Sequence, residues 1–203
     1  MIDLVTIETY NQLAKEYDDE TIDFWERFPG EFVDEFSKRI SGKVLNVGSG
    51  PGRDAVLLRD RGVDVTCLDA SKVMISMTQL QGFTSVLGDF ESMPFTDGEF
   101  DAAWAYTSLL HVPKAEIDVP MKEIRRVLKV GGVFALGMIE GGFDGYRASS
   151  GIDLQRWFGF YTKEEIETLL KEYGFEIIHF ETFKPKTKNY LNFIAVKGGV
   201  NEV

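Results

Sequence analysis

One segment constrains this chain more than any other: Val44-Leu45-Asn46-Val47-Gly48-Ser49-Gly50-Pro51-Gly52-Arg53-Asp54. An apolar run of strand character meets closely spaced glycines, and a helical pattern follows. Glycine lets the backbone turn sharply and approach a ligand with no Cβ in between. A helix starting just beyond the loop offers it unpaired N–H groups and the positive end of its dipole. A strand, glycine loop and helix in this order point to a ligand-binding α/β architecture.

The rest of the chain agrees. Ile7, Tyr10, Ala14 and Tyr17 recur at helical spacing over 6–17, with Thr6 as N-cap. Phe24, Phe28, Phe32, Phe36 and Ile40 form a second apolar line that Pro29-Gly30 interrupts, giving two short helices or one kinked helix. From Lys43 onward strands and helices alternate. Strands are expected at 44–47, 63–68, 85–87, 100–106 and 133–139, the last after a Gly131-Gly132 turn. Between them lie helices over 53–61, 71–81 and 114–128, the last with Ile117, Met121, Ile124 and Leu128 on one face. Such alternation implies parallel strands with helices on both faces. Thr162 and Glu165 make a capping box for the next helix, which Gly174 ends. Strands at 175–183 and 190–196 are joined by a connection too short for a crossover, so that pair is antiparallel. Lys184, Lys186 and Lys188 read as solubilising the hairpin tip.

Composition excludes several classes of function. The 203 residues carry a net charge of −11, which lacks the basic footprint of phosphate-backbone binding and argues against nucleic acid as a partner. A single cysteine, Cys67, rules out an intramolecular disulfide and a multi-thiolate zinc site, and its apolar neighbours mark it as a core residue. No metal site is expected. No run approaches a spanning helix, and Met1-Ile2-Asp3-Leu4 has no signal-peptide character, so a cytoplasmic protein without membrane association is expected.

Two details narrow the ligand. A dinucleotide fingerprint would place glycine at position 53, where Arg53 stands, and a Walker loop would end in Gly-Lys-Ser/Thr, which is absent. Asp69 closes the second strand 17 residues after Gly52, where a carboxylate can accept both hydroxyls of a ribose.

At this point the chain resembles the class I S-adenosylmethionine-dependent methyltransferases, of the small-molecule type. The glycine segment looks like their first motif, with Gly48, Ser49, Gly50 and Arg53 toward the cofactor. Asp69 then matches the ribose-binding acid, with Ala70 beside it. Gly88-Asp89-Phe90-Glu91-Ser92-Met93-Pro94-Phe95 is similar to the next motif, which implies an adenine contact for Asp89 and a ring neighbour in Phe90. Phe100 to Val112 resembles the strand-four motif that ends beneath the sulfonium, with Tyr106 at the strand end. Leu128 to Phe134 looks like the turn before strand five, with Val130 in place of the usual proline. The resemblance covers about residues 10–197. It implies a Rossmann-like, seven-stranded, mostly parallel sheet with an antiparallel C-terminal strand, helices on both faces and an N-terminal helical lid. One domain over 1–203 is expected, divided into a helical cap (1–40), a cofactor-binding half (41–140) and a substrate insertion with the C-terminal hairpin (141–203).

Asn46 departs from the acidic residue the family usually has; it keeps a carbonyl acceptor but loses the charge that favours an ammonium group. The segment Tyr10 to Asp18 is similar to the family's N-terminal lid motif, placing Tyr17 at the cofactor, with Asn11 in place of an aspartate. The cofactor carries the activated methyl, so the protein supplies position, desolvation and at most a base. His111 is the candidate base, since an unperturbed imidazole titrates near neutral pH; His179 reads as structural. Arg147, Arg156, Trp157, Phe158, Phe160 and Tyr161 either build an acceptor pocket for a small, partly apolar acid or close the core. A nicotinamide-dependent dehydrogenase conflicts with Arg53, and a non-catalytic binding protein finds support only in Asn46.

Overall fold

A computed structural model describes residues 3–21, 23–27, 30–148 and 154–199. The described residues open with three helices, α1 (Leu4–Thr21), α2 (Phe24–Arg27) and α3 (Glu31–Ser37), the last two being the pair of short helices that was one of the two arrangements expected. Pro29 itself lies outside the described residues. Thr6 is not the cap of α1: Asp3 holds that place, its carboxylate accepting from the Val5 N–H (3.2 Å) and the Thr6 hydroxyl. Leu13 leaves helical geometry and kinks α1 at its middle.

Strands β1 (Lys43–Val47), β2 (Asp64–Asp69), β3 (Thr84–Leu87), β4 (Phe100–Tyr106) and β5 (Leu128–Ile139) are mutually parallel. Their connections carry α4 (Arg53–Arg59), α5 (Lys72–Leu80) and α6 (Asp118–Val127). A two-stranded hairpin, β6 (Asp144–Ala148) and β7 (Gln155–Gly159), stands outside the main sheet. Then come α7 (Lys163–Glu172), β8 (Phe175–Phe183) and β9 (Tyr190–Lys197). The main sheet has the order β3-β2-β1-β4-β5-β9-β8, with β9 antiparallel to both its neighbours. This is the seven-stranded, mostly parallel arrangement the sequence implied.

Two boundaries move for physical reasons. The helix expected over 114–128 begins only at Asp118, because Pro120 is tolerated only in a first turn, where no intrahelical N–H is required. The Gly131-Gly132 turn leads into the regular ladder at Val133 as expected, with Gly131 at φ +77°, but strand β5 already begins before it. Leu128 already pairs with Phe100, and the ladder resumes at Ala102↔Val133. Ser71 caps α5 through the Met74 N–H, and Thr162 and Glu165 form the capping box of α7, both as the sequence indicated.

The core lies along β4, whose residues are nearly all buried, as a strand covered on both faces requires. Trp104 packs against Phe32 and Phe36 of α3, at ring distances of 5.4 and 5.1 Å. Sheet order reverses between β1 and β4, and there a ligand crevice opens at the strands' carboxyl ends.

Candidate functional site

The glycine loop leaves β1 at that reversal. The N–H groups of Gly48 and Ser49 both donate to the Leu68 carbonyl, at 2.8 and 2.9 Å. The Gly50 N–H donates to Asp69 Oδ2 and the Ser71 N–H to Asp69 Oδ1, each at 2.8 Å. Asp69 thus ties the loop to the start of α5. Burial holds its carboxyl above the ordinary carboxylate range, outweighing these backbone donors. Gly48 has φ +70°, and a Cβ there would lie 2.4 Å from the Ser108 Cβ, so no other residue fits between the loop and the end of β4.

Every residue matched to the cofactor, and His111, lines one cavity of about 400 Å³, a size typical of small-molecule sites; of the acceptor-pocket candidates Arg156 and Phe158 line it too, whereas Arg147, Trp157, Phe160 and Tyr161 do not. Gly48, Ser49, Gly50 and Arg53 form one wall, and Asp69 and Ala70 a second. Asp89 and Phe90 come from the β3–β4 connection, Tyr106 and His111 from β4 and beyond, and Tyr17 from α1. Asp89 Oδ1 accepts from the N–H groups of Glu91 (2.7 Å) and Ser92 (3.1 Å), which fixes its turn. The Tyr106 ring stacks with those of Trp104 and Tyr190, and its hydroxyl donates to Asn192 Oδ1 at 3.1 Å. The Trp104 Nε1–H donates to Asp54 Oδ2 at 2.8 Å and so anchors this stack to α4.

Helix α1 closes the cavity and is fastened at several points. The Arg53 guanidinium grips Asp18 Oδ1 at 2.5 Å and bonds the Thr21 hydroxyl as well. Asn11 Oδ1 accepts from the Ser71 hydroxyl at 2.8 Å. On the other side the Thr9 hydroxyl donates to the Gln155 carbonyl (2.7 Å), and Thr6 Oγ1 accepts from the Trp157 N–H (2.8 Å). Arg53, expected at the cofactor, borders the cavity while its guanidinium clasps the lid. Asn46 is buried beneath the loop and is not among the lining residues; its Nδ2 has no hydrogen-bond partner among the described residues.

His111 is locked from both sides. Its Nδ1 lies 2.6 Å from the Trp157 carbonyl and its Nε2 lies 2.8 Å from the Tyr10 hydroxyl. A carbonyl only accepts, so Nδ1 carries the proton and Nε2 accepts from Tyr10. Arg156 Nη1 donates to the same hydroxyl at 3.0 Å. Burial lowers the imidazole to about 4, so it stays neutral at physiological pH, against the expectation of titration near 7. Burial likewise raises Tyr10 and Tyr17 above the usual phenol range.

Cys67 is fully buried with its thiol raised to about 12, an inert core residue. His179 contacts Glu181 at 3.0 Å on β8 and does not border the cavity. Among the described residues no cluster of His, Cys, Asp and Glu could hold a metal ion, and no helix is long and apolar enough to cross a membrane.

Sequence reasoning missed several residues at the cavity. Thr107 takes φ +52°, a strained conformation for a β-branched residue, at the rim. Ser108 has a buried hydroxyl without a partner, and Asp54 carries the Trp104 indole. Lys188, read as a hairpin-tip residue, also reaches the cavity. None had a local signal; the tight approach to Gly48 singles out Ser108 only once the fold is known.

Comparison with known proteins agrees with this geometry. The family profile described as a methyltransferase domain matches residues 45–136. The profile thus makes the middle of the chain, from β1 into β5, similar to a methyltransferase domain. The chain is 31% identical to the sarcosine/dimethylglycine N-methyltransferase of Aphanothece halophytica, over 68% of this chain and 53% of that protein. It is 32% identical to the malonyl-[acyl-carrier protein] O-methyltransferase of Pseudescherichia vulneris, over 52% of this chain and 42% of that protein. The chain thus spans about half the length, or less, of the curated relatives it matches. In fold it is similar to the 1,6-didemethyltoxoflavin-N1-methyltransferase of Burkholderia thailandensis, solved with S-adenosylhomocysteine (TM-score 0.78, 20% identity, covering 96% of this chain and 88% of that one).

Proposed function

We propose that this protein transfers a methyl group from S-adenosyl-L-methionine to a small-molecule acceptor. The observation that carries the reading is the Asp69 carboxylate, bonded to Gly50 at the sheet's reversal and bordering the same cavity as Asp89 and His111. The residues fit this cofactor. Gly48 is a cradle that a Cβ would fill, and Ser108 presents a buried hydroxyl without a protein partner. Asp69 would hold the ribose and Asp89 the adenine amino group, with Phe90 beside the ring. When bound, the cofactor supplies an activated methyl on a sulfonium. The protein's own contribution is a closed, oriented chamber: α1 excludes water, and the aromatic stack of Trp104, Tyr106 and Tyr190 fixes one wall.

His111 is too weak a base to ionise an alcohol, with its pKa near 4 and its lone pair engaged by Tyr10. The site therefore suits an acceptor atom that is already nucleophilic at neutral pH. In this reading residues 1–40 form the cap, 41–140 hold the cofactor and 141–203 supply the acceptor side of a single domain. The protein is cytoplasmic and acts on neither nucleic acid nor membrane, in keeping with its net charge of −11.

Calorimetry with S-adenosylhomocysteine tests the reading. Binding with a Kd of about 100 μM or tighter is expected. No heat with a folded sample, and no label transfer from S-adenosylmethionine to any small nucleophile, would sink it.

A further inference from the structure

Two cations, Arg156 and Lys188, border the acceptor side of the cavity, a third, Arg147, stands opposite Arg156 on the exposed strand β6, and no carboxylate partners them among the described residues. Arg147 and Arg156 face each other directly across the β6–β7 ladder, an arrangement in which like charges repel. Arg156 borders the cavity, gives Nη1 to a neutral phenol, and keeps its Nε buried without any partner. Lys188 arrives from the β8–β9 connection and borders the same cavity. In a chain with 33 acidic residues against 22 basic ones, carboxylates are plentiful. Elsewhere Arg53 pairs with Asp18, Arg61 with Asp34 and Arg126 with Glu123, while Arg59 and Arg125 turn to backbone carbonyls.

A guanidinium that is half-buried, with its Nε fully so, and without a counter-charge carries a cost, and its neighbours here increase it. Burial, Arg156 and Arg147 together lower the Lys188 ammonium, so the cluster resists its own charge. A bound anion would relieve it. Aromatic rings frame the place: the Arg156 guanidinium lies 5.0 Å from the Tyr10 centroid and 5.3 Å from that of Phe158. They leave an apolar berth beside a planar donor group whose fork matches a carboxylate.

We propose that the methyl acceptor is a compact organic acid whose carboxylate is seated between Arg156 and Lys188, with Arg147 behind them. The inference rests on the methyltransferase reading for the word acceptor, though not for the clamp itself.

The protein saturated with S-adenosylhomocysteine is titrated with benzoate, phenylacetate and indole-3-acetate, with the amide of each, and with phenyl phosphate. At least one carboxylate is expected to bind about tenfold tighter than its amide. Lys188→Gln, an exposed substitution that leaves folding intact by circular dichroism, should cut that preference about fivefold while moving S-adenosylhomocysteine affinity less than about twofold. Arg156→Gln should abolish the preference. If no carboxylate outbinds its amide, or the preference survives Lys188→Gln, the proposal is overturned. Tighter binding of phenyl phosphate than of every carboxylate overturns it as well. Should S-adenosylhomocysteine give no heat, the methyltransferase reading fails, and the same panel titrated into the protein alone still decides the clamp.

Discussion

The two sides of the cavity are built on opposite principles. On the glycine-loop side, charge is satisfied from within: Asp69 takes two backbone N–H groups, Asp89 takes two more, and Arg53 has Asp18. On the hairpin side, Arg147 opposes Arg156, Lys188 stands near both, and no described carboxylate answers them. A site whose polar groups are already paired holds its shape without ligand. A site left with surplus charge keeps its binding energy for whatever arrives. The first arrangement suits a constant cofactor, the second a selective acceptor.

The largest expected effect comes from dismantling the satisfied side. Asp69→Ala removes the group that joins the Gly50 and Ser71 amides and would meet the ribose. S-adenosylhomocysteine affinity should fall about 100-fold by calorimetry, near 2.7 kcal/mol. Asp69→Asn, which keeps one carbonyl acceptor, should recover part of that loss. Equal affinity in Asp69→Ala would show that the loop holds itself.

A smaller effect is expected from Gly48, and its neighbour supplies the control. Gly48→Ala forces a Cβ to within 2.4 Å of the Ser108 Cβ, whereas Gly50→Ala meets nothing within 4 Å. Both sit at positive φ, so each incurs about 1–2 kcal/mol of backbone strain. Gly48→Ala adds overpacking of about 1–3 kcal/mol, which should appear as a clearly lower denaturation midpoint than that of Gly50→Ala. Matching midpoints would mean that β4 yields to the loop.

The same division explains what was legible in the sequence. Glycine loop, strand-end aspartate, Ser71 cap and capping box are local signals, because their partners lie within a few residues or on the adjoining strand. The acceptor side has no such code. Strand β6 is exposed along most of its length and shows no apolar alternation, so it reads as loop. His111 owes its low pKa to burial, helped by Arg156 and opposed by the Trp157 carbonyl 46 residues away, and nothing near position 111 announces that surrounding. Lys188 looks like a solvated hairpin tip until β9 pairs with β5 and brings that tip back to the cavity. Asn46 shows the limit from the other direction: its departure from the family pattern is plain in sequence, yet it lies buried beneath the loop rather than in the cavity wall.

The smallest effect tests the acceptor side through pH. His111 is lowered from 6.5 to about 4 by burial, so the unfolded chain binds a proton between those values that the folded chain refuses. Stability contributed by neutral His111 is therefore complete above pH 6.5 and is lost as pH falls toward 4. Denaturant titrations should show His111→Gln losing about 2 kcal/mol less than the wild type across that window. The substitution carries an offsetting cost at neutral pH, since Tyr10 and the Trp157 carbonyl must find new partners, about 1–2 kcal/mol. The two stability curves should thus converge as the solution is acidified. Tyr10→Phe separates the contributions: it removes the hydroxyl shared with Arg156 but leaves the imidazole to titrate, so its acid-side slope should stay close to wild type. If instead His111→Gln runs parallel to wild type from neutral pH down to 4, the imidazole is solvated. The lock between Tyr10 and Trp157 would then be an open contact, and a neutral-pH base would return to the mechanism.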